Sequence, residues 1–168
     1  MTPPNASPTP HVKIIAEAGV NHDGSLDRAL ALVDAAADAG ADTVKFQTFS
    51  ARRLATVSAG MAAYQKRNLG GDASQVEMLE RLELTPADHV QLIERCRKRG
   101  IEFLSSPFDM ESLRFLIDDL GLSTIKIPSG EITNGPYLLA LGHSGRRTIL
   151  STGMAEPAEI AIALDLLA

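Results

Sequence analysis

Thr124-Ile125-Lys126-Ile127-Pro128-Ser129-Gly130-Glu131 carries the pattern that sorts this chain into a fold class. A short β-branched run with a single lysine is stopped by proline, and small polar and acidic residues follow at once. The same grammar recurs at Val12 to Ala16, Thr43 to Gln47, Ile101 to Leu104 and Thr148 to Leu150, each run bounded by Gly, Pro or Ser as strands are. Between the runs the apolar residues take helical spacing. Leu26, Ala29, Leu30, Val33, Ala36 and Ala37 form one stripe, Leu113, Leu116, Ile117 and Leu120 another, and Ile160, Ala163, Leu164 and Leu167 a last one. The pattern is βα repeated five times, which predicts an α/β fold with a parallel sheet.

Punctuation supports the same division. Ser25 precedes the first helix, and Thr85-Pro86-Ala87-Asp88 supplies a cap, a proline for the first turn and an acidic third position. Gly100, Gly121 and Gly145 each stand just before a strand, where an αβ turn must reverse. One interruption, from about 50 to 74, breaks the rhythm with Tyr64-Gln65-Lys66 and Gly70-Gly71; insertions of that length are commonly functional. Five βα units fit either a doubly wound sheet or part of a barrel. Gly19-Val20-Asn21-His22-Asp23-Gly24 does not match the dinucleotide fingerprint, which weighs against the first of these.

Composition removes whole classes of function. The 168 residues are 45% hydrophobic and 22% charged, ordinary for a globular chain. Sixteen Lys and Arg against twenty-one Asp and Glu leave a net charge of −5, so no global field draws in nucleic acid or an anionic membrane. The single cysteine, Cys96, allows no internal disulfide, and on a helix beside Leu92 and Ile93 it reads as core. Residues 1–12, with four prolines in the first ten, read as a loose tail without a signal peptide's apolar region, and no run is long enough to span a membrane. A cytoplasmic protein is the expectation, with residues 13–168 as one α/β unit.

The polar residues gather at one end of the strands. Glu17 and Gly19 close the first, Lys45 and Gln47 lie in the second, and Ser105-Ser106 close the third. Lys126, Ser129 and Glu131 mark the fourth, and Ser151, Thr152 and Gly153 the fifth. Active sites of α/β barrels and open sheets are built at this C-terminal end. Lys45 and Lys126 sit inside apolar runs, where an unpaired ammonium is costly, so each requires an anionic partner. That partner is Glu17 or Glu131, or a bound phosphate or carboxylate cradled with the hydroxyls of Ser106, Ser129 and Ser151, or both. Lys45 and Gln47, two apart, share a strand face. Glu17 and Glu131, on different strands, suit either ion pairing or acid–base work. His22 reads as a hydrogen-bonding or exposed loop residue, and His11, His89 and His143 as peripheral.

Taken in order, Ile15-Ala16-Glu17-Ala18-Gly19-Val20-Asn21-His22-Asp23-Gly24-Ser25, Val44 to Thr48, Phe103-Leu104-Ser105-Ser106-Pro107-Phe108, Lys126 to Glu131 and Leu150-Ser151-Thr152-Gly153-Met154 resemble the N-acetylneuraminate (sialic acid) synthase family. Tyr64-Gln65-Lys66 and the run from Lys126 through Asn134 to Pro136 are most similar to the bacterial branch that includes N,N′-diacetyllegionaminate synthases. The resemblance implies a (β/α)8 TIM-type barrel, of which this chain holds the first five βα units. It implies condensation of phosphoenolpyruvate with an N-acetylated hexose, N-acetylmannosamine or a diacetylated legionaminic acid precursor, to a nine-carbon 2-keto sugar acid and phosphate.

By the same resemblance Lys45, Ser106, Lys126, Ser129, Ser151 and Gly153 hold phosphoenolpyruvate, with Ser105 the substitute for Ser106 if the third strand is shifted by one. Gln47 and Asn21 meet the sugar, and Glu17 and Glu131 are the catalytic carboxylates. A divalent metal, manganese or magnesium, is implied for the full-length family, with ligands on later strands that this sequence does not contain. So is a homodimer. The alternative is a non-catalytic module that keeps a phosphate-binding pocket or an oligomerisation surface.

Overall fold

A computed structural model describes residues 11–54 and 75–168 of the protein. The expected tail up to residue 10 and most of the 50–74 interruption, including Tyr64-Gln65-Lys66 and Gly70-Gly71, lie outside the described residues. β1 (Ile15–Gly19), β2 (Thr43–Thr48), β3 (Glu102–Pro107), β4 (Thr124–Ile127) and β5 (Arg147–Leu150) are all parallel to their paired neighbours. β1, β2 and β3 form one ladder and β4 and β5 a second, with β4 lying beside β3. The strands follow one another in sequence order without a reversal. That is the order of a barrel wall, whereas a doubly wound sheet changes direction at a switch point.

The helices are α1 (Leu26–Asp38), α2 (Ala51–Leu54), α3 (Gln75–Glu80), α4 (Pro86–Arg99), α5 (Met110–Arg114), α6 (Gly135–His143) and α7 (Pro157–Leu167). Their starts follow from the sequence: the Ser25 side chain accepts from the Arg28 amide, and Thr85 and Asp88 close a reciprocal capping box. Gly100, Gly121 and Gly145 take the left-handed conformation that the turns into β3, β4 and β5 call for. α1 buries Ala29, Val33 and Ala36, and packs on α4, which buries His89, Leu92 and Cys96. Arg95 Nε donates to Asp34 Oδ1 at 2.8 Å across that pair, and Arg99 pairs with Asp38. A second core gathers Leu113, Leu116, Ile125, Ile127, Tyr137, Leu138 and Leu141 around β4 and α6.

Three elements differ from the sequence expectation. β1 begins at Ile15 because pairing begins there, opposite Thr43; the preceding backbone is held by Asp42, whose Oδ2 accepts from the Ile14 amide at 2.6 Å, and Val12 and Ile14 are 74% and 54% exposed. The stripe from Leu113 to Leu120 starts as α5 and then widens into a π-turn over Phe115–Asp119, closed by the Leu120 amide donating to the Phe115 carbonyl at 3.0 Å. On α7 only Ala163 is fully buried, while Ile162 and Leu164 are 60% and 55% exposed. Among the described residues no helix is long and apolar enough to cross a membrane.

Candidate active site

Period-two alternation decides which strand residues face the site. In β2, Val44, Phe46 and Thr48 point to the helices and are buried, leaving Lys45 and Gln47 on the opposite face. The register then sets Glu17 beside Lys45 and Gln47 beside Ser106. Because Phe46 pairs with Ser105, that serine falls on the helix side, and Ser106 is the one that reaches the site face. A bulge between Glu17 and Gly19 ends the β1 ladder at this level, and Gly19 lies where a Cβ would stand 3.1 Å from Glu17 Oε1 and 3.7 Å from Gln47 Nε2.

The Lys45 ammonium, its side chain only 12% exposed, donates to Glu17 Oε1 at 2.8 Å, lies 2.6 Å from Oε2, and reaches Ser106 Oγ at 3.5 Å. Lys126 donates to the Ile127 carbonyl at 2.8 Å and to the Ser151 hydroxyl. Burial lowers the Lys126 pKa first, the neighbouring Lys45 charge lowers it further, and Glu17 opposes both. Lys45, Lys126 and Glu17 therefore share one electrostatic neighbourhood. Two ammonium groups face one carboxylate, with the Ser106 and Ser151 hydroxyls between strand ends, and this arrangement leaves positive potential for an anion.

Ser129 and Gly153 meet above β4 and β5. Gly153 has φ +48°, and a Cβ there would fall 2.6 Å from Ser129 Oγ, so only glycine admits this approach. Glu131 forms no ion pair with either lysine: it lies in a 3-10 turn over Ser129–Glu131, and its carboxylate accepts from Asn134 Nδ2 at 2.6 Å. Asn21 is exposed in the β1–α1 turn, where its amide donates to the Ala18 carbonyl at 3.0 Å. The structure thus brings together Glu17, Lys45, Gln47, Ser106, Lys126 and Ser151, sets Ser129 against Gly153, and does not join Glu131 or Asn21 to them by a contact.

Two histidines are buried, a placement that the sequence does not announce, while His22 makes the hydrogen bond expected as one of its readings. His22 is fully buried against Phe46, with ring centroids 6.1 Å apart; its Nδ1 accepts from the Gly24 amide at 3.0 Å, and its Nε2 has no protein partner among the described residues. His89, read as peripheral, is buried as well. Its position is legible in one respect, because His89, Leu92 and Cys96 at i, i+3 and i+7 share the buried stripe of α4. Burial lowers the pKa of both rings.

The resemblance to a metal-dependent family calls for a test of fit. Among the described residues no three His, Cys, Asp or Glu side chains are placed to hold a metal. The strand-end cluster is also the wrong chemistry for a dication, since two ammonium groups repel it and Glu17 is already paired. These residues do not fit the metal.

Comparison with known proteins finds relatives over most of the chain. The chain is 50% identical over 154 residues to N,N′-diacetyllegionaminic acid synthase of Campylobacter jejuni, covering 92% of this chain and 46% of that protein. It is 50% identical over 152 residues to the enzyme of the same name from Legionella pneumophila, covering 90% and 42%. Among solved structures, N-acetylneuraminic acid synthetase of Leptospira borgpetersenii superposes with a TM-score of 0.76 at 33% identity, covering 93% of this chain and 50% of that one. The chain therefore spans about half the length of the relatives it matches. The NeuB family model matches residues 32–168, which take in the last four of the five parallel strands, and the chain belongs to the NeuB family.

Proposed function

We propose that the strand-end cluster binds phosphoenolpyruvate and forms that substrate's half of a carbon–carbon bond-forming synthase site. The observation that carries this reading is the convergence of Lys45 and Lys126 on one neighbourhood with a single carboxylate, Glu17. A dianionic ligand supplies the missing negative charge, and Lys126 gains most because burial and Lys45 both work against its proton. Ser106, Ser151 and Ser129 add hydroxyl donors, and Gly153 lets the chain come close to the ligand.

In the proposed reaction carbon 3 of phosphoenolpyruvate attacks the aldehyde of an N-acetylated hexose, water adds at carbon 2, and phosphate leaves with carbon–oxygen cleavage. Lys45 and Lys126 hold the phosphate and carboxylate charges, and Gln47, on the Lys45 face, meets the sugar together with Asn21. Glu17 orients water or moves a proton, with Glu131 as the second carboxylate. The 50% identity to two proteins named N,N′-diacetyllegionaminic acid synthase favours a diacetylated precursor of that acid as the sugar over N-acetylmannosamine.

A second reading is favoured by the engagement of both carboxylates, Glu17 by Lys45 and Glu131 by Asn134: the cluster binds phosphoenolpyruvate without turning it over. Phosphate release with sugar, phosphoenolpyruvate and manganese separates the two. Release that depends on Lys45 and Lys126 supports the synthase, binding without release supports the module, and neither binding nor release contradicts both.

A further inference from the structure

On the helix side of the sheet, directly behind the anion cluster, a buried relay joins three elements. Thr48 Oγ1 and Ser105 Oγ lie 2.7 Å apart, Thr48 Oγ1 and His89 Nε2 2.9 Å apart, and His89 Nδ1 lies 2.9 Å from the Thr85 carbonyl oxygen. All three side chains are buried. A carbonyl only accepts, which fixes the direction of every bond: His89 Nδ1–H donates to Thr85, so neutral Nε2 accepts from Thr48, and Thr48 in turn accepts from Ser105. The rings of Phe103 and Phe115 stand at 78° and 90° to the imidazole and hold it in that plane.

Thr48 is the residue after Gln47, and Ser105 the residue before Ser106. The relay therefore ties the last residues of β2 and β3 to the first turn of α4, while the side chains next to them in sequence point into the site. We propose that His89 is a positioning residue: through Thr48 and Ser105 it fixes the β2 and β3 ends, and so the place of Ser106 against the bound anion and of Gln47 beside it. This rests on the phosphoenolpyruvate pocket proposed above. His89 touches none of the cluster side chains, so its effect passes through the backbone of the two strand ends.

The test is calorimetric affinity for phosphoenolpyruvate in the whole chain, with the melting temperature recorded for each variant. Thr48→Val keeps shape and removes the central hydroxyl; it is expected to weaken binding by about tenfold, the scale of one buried hydrogen bond. His89→Leu is expected to weaken binding similarly and not to add to Thr48→Val, whereas His89→Gln, which can still accept from Thr48, recovers most of the affinity. Val33→Ala, on the buried face of α1 and outside the relay, controls for lost stability and is expected to bind as the parent does. Ring nitrogen-15 shifts are expected to show His89 as the Nδ1–H tautomer.

Unchanged affinity in Thr48→Val, an equal loss in Val33→Ala, or the Nε2–H tautomer overturns the positioning role and leaves the pocket standing. A parent chain that does not bind phosphoenolpyruvate overturns both.

Discussion

Lys45 is held in its buried position by a partner that is itself half exposed, which separates two effects of Glu17→Gln. Removing the carboxylate leaves an uncompensated ammonium and is expected to cost about 1–2 kcal/mol in urea unfolding, less than a fully buried pair because water screens Glu17. The same change raises the positive potential of the cluster, so phosphoenolpyruvate is expected to bind several-fold more tightly by calorimetry; weaker binding would show that Glu17 aids the ligand. His22 and His89 make stability depend on pH. Both rings ionise below the ordinary value of 6.5, so between their lowered values and 6.5 the unfolded chain holds more protons than the folded one. Their contribution is complete above 6.5 and is lost as the pH falls through that window. The melting temperature is expected to drop between pH 7 and 5, and His89→Gln to flatten that drop; a flat parent profile would contradict it. The lysines were legible in the sequence because a charge in an apolar run demands a partner. His89 was not, because its significance lies in Thr48 and Ser105, 41 and 16 residues away in the chain, which only the folded register brings to it.

The helix starts at Ser25 and Thr85 were read more accurately than the start of β1 for a physical reason. Caps at Ser25 and Thr85 are local hydrogen bonds whose donors and acceptors lie within three residues of each other. A strand begins where a neighbour begins, and nothing local in Val12 to Ala16 says that pairing opposite Thr43 starts at Ile15. β3 likewise runs on to Pro107, because the Thr48 carbonyl beyond it accepts from the Phe108 amide at 3.0 Å. The β1–α1 turn shows how tightly connections are fitted. Gly24 has φ +71°, and a Cβ there would lie 2.0 Å from the Arg81 carbonyl oxygen between α3 and α4. Gly24→Ala is expected to destabilise the chain by about 2 kcal/mol or more, through both strain and displacement of that backbone. Urea unfolding within 0.5 kcal/mol of the parent would contradict the contact.

The described residues leave apolar side chains exposed beside the first strand and on the last helix. Outside their ladders β1 and β5 have no paired neighbour among the described strands, Val12 and Ile14 are exposed just before β1, and Ile162 and Leu164 are exposed on α7. Such edges and side chains favour association, so light scattering of this 168-residue chain is expected to show a mass that rises with concentration. A constant monomer mass with no binding of an apolar dye would contradict it. The parallel α/β class and the clustering of polar groups at one end of the strands were legible from pattern, whereas the choice of Ser106 over Ser105 needed the register. The most direct test is calorimetry of phosphoenolpyruvate with the parent chain, Lys45→Met, Lys126→Met and the double variant. Saturable binding in the parent, a loss of about tenfold or more in each single variant, and no detectable binding in the double variant are predicted. Equal affinity in all four proteins, or no binding to the parent, would contradict an anion site at the strand ends.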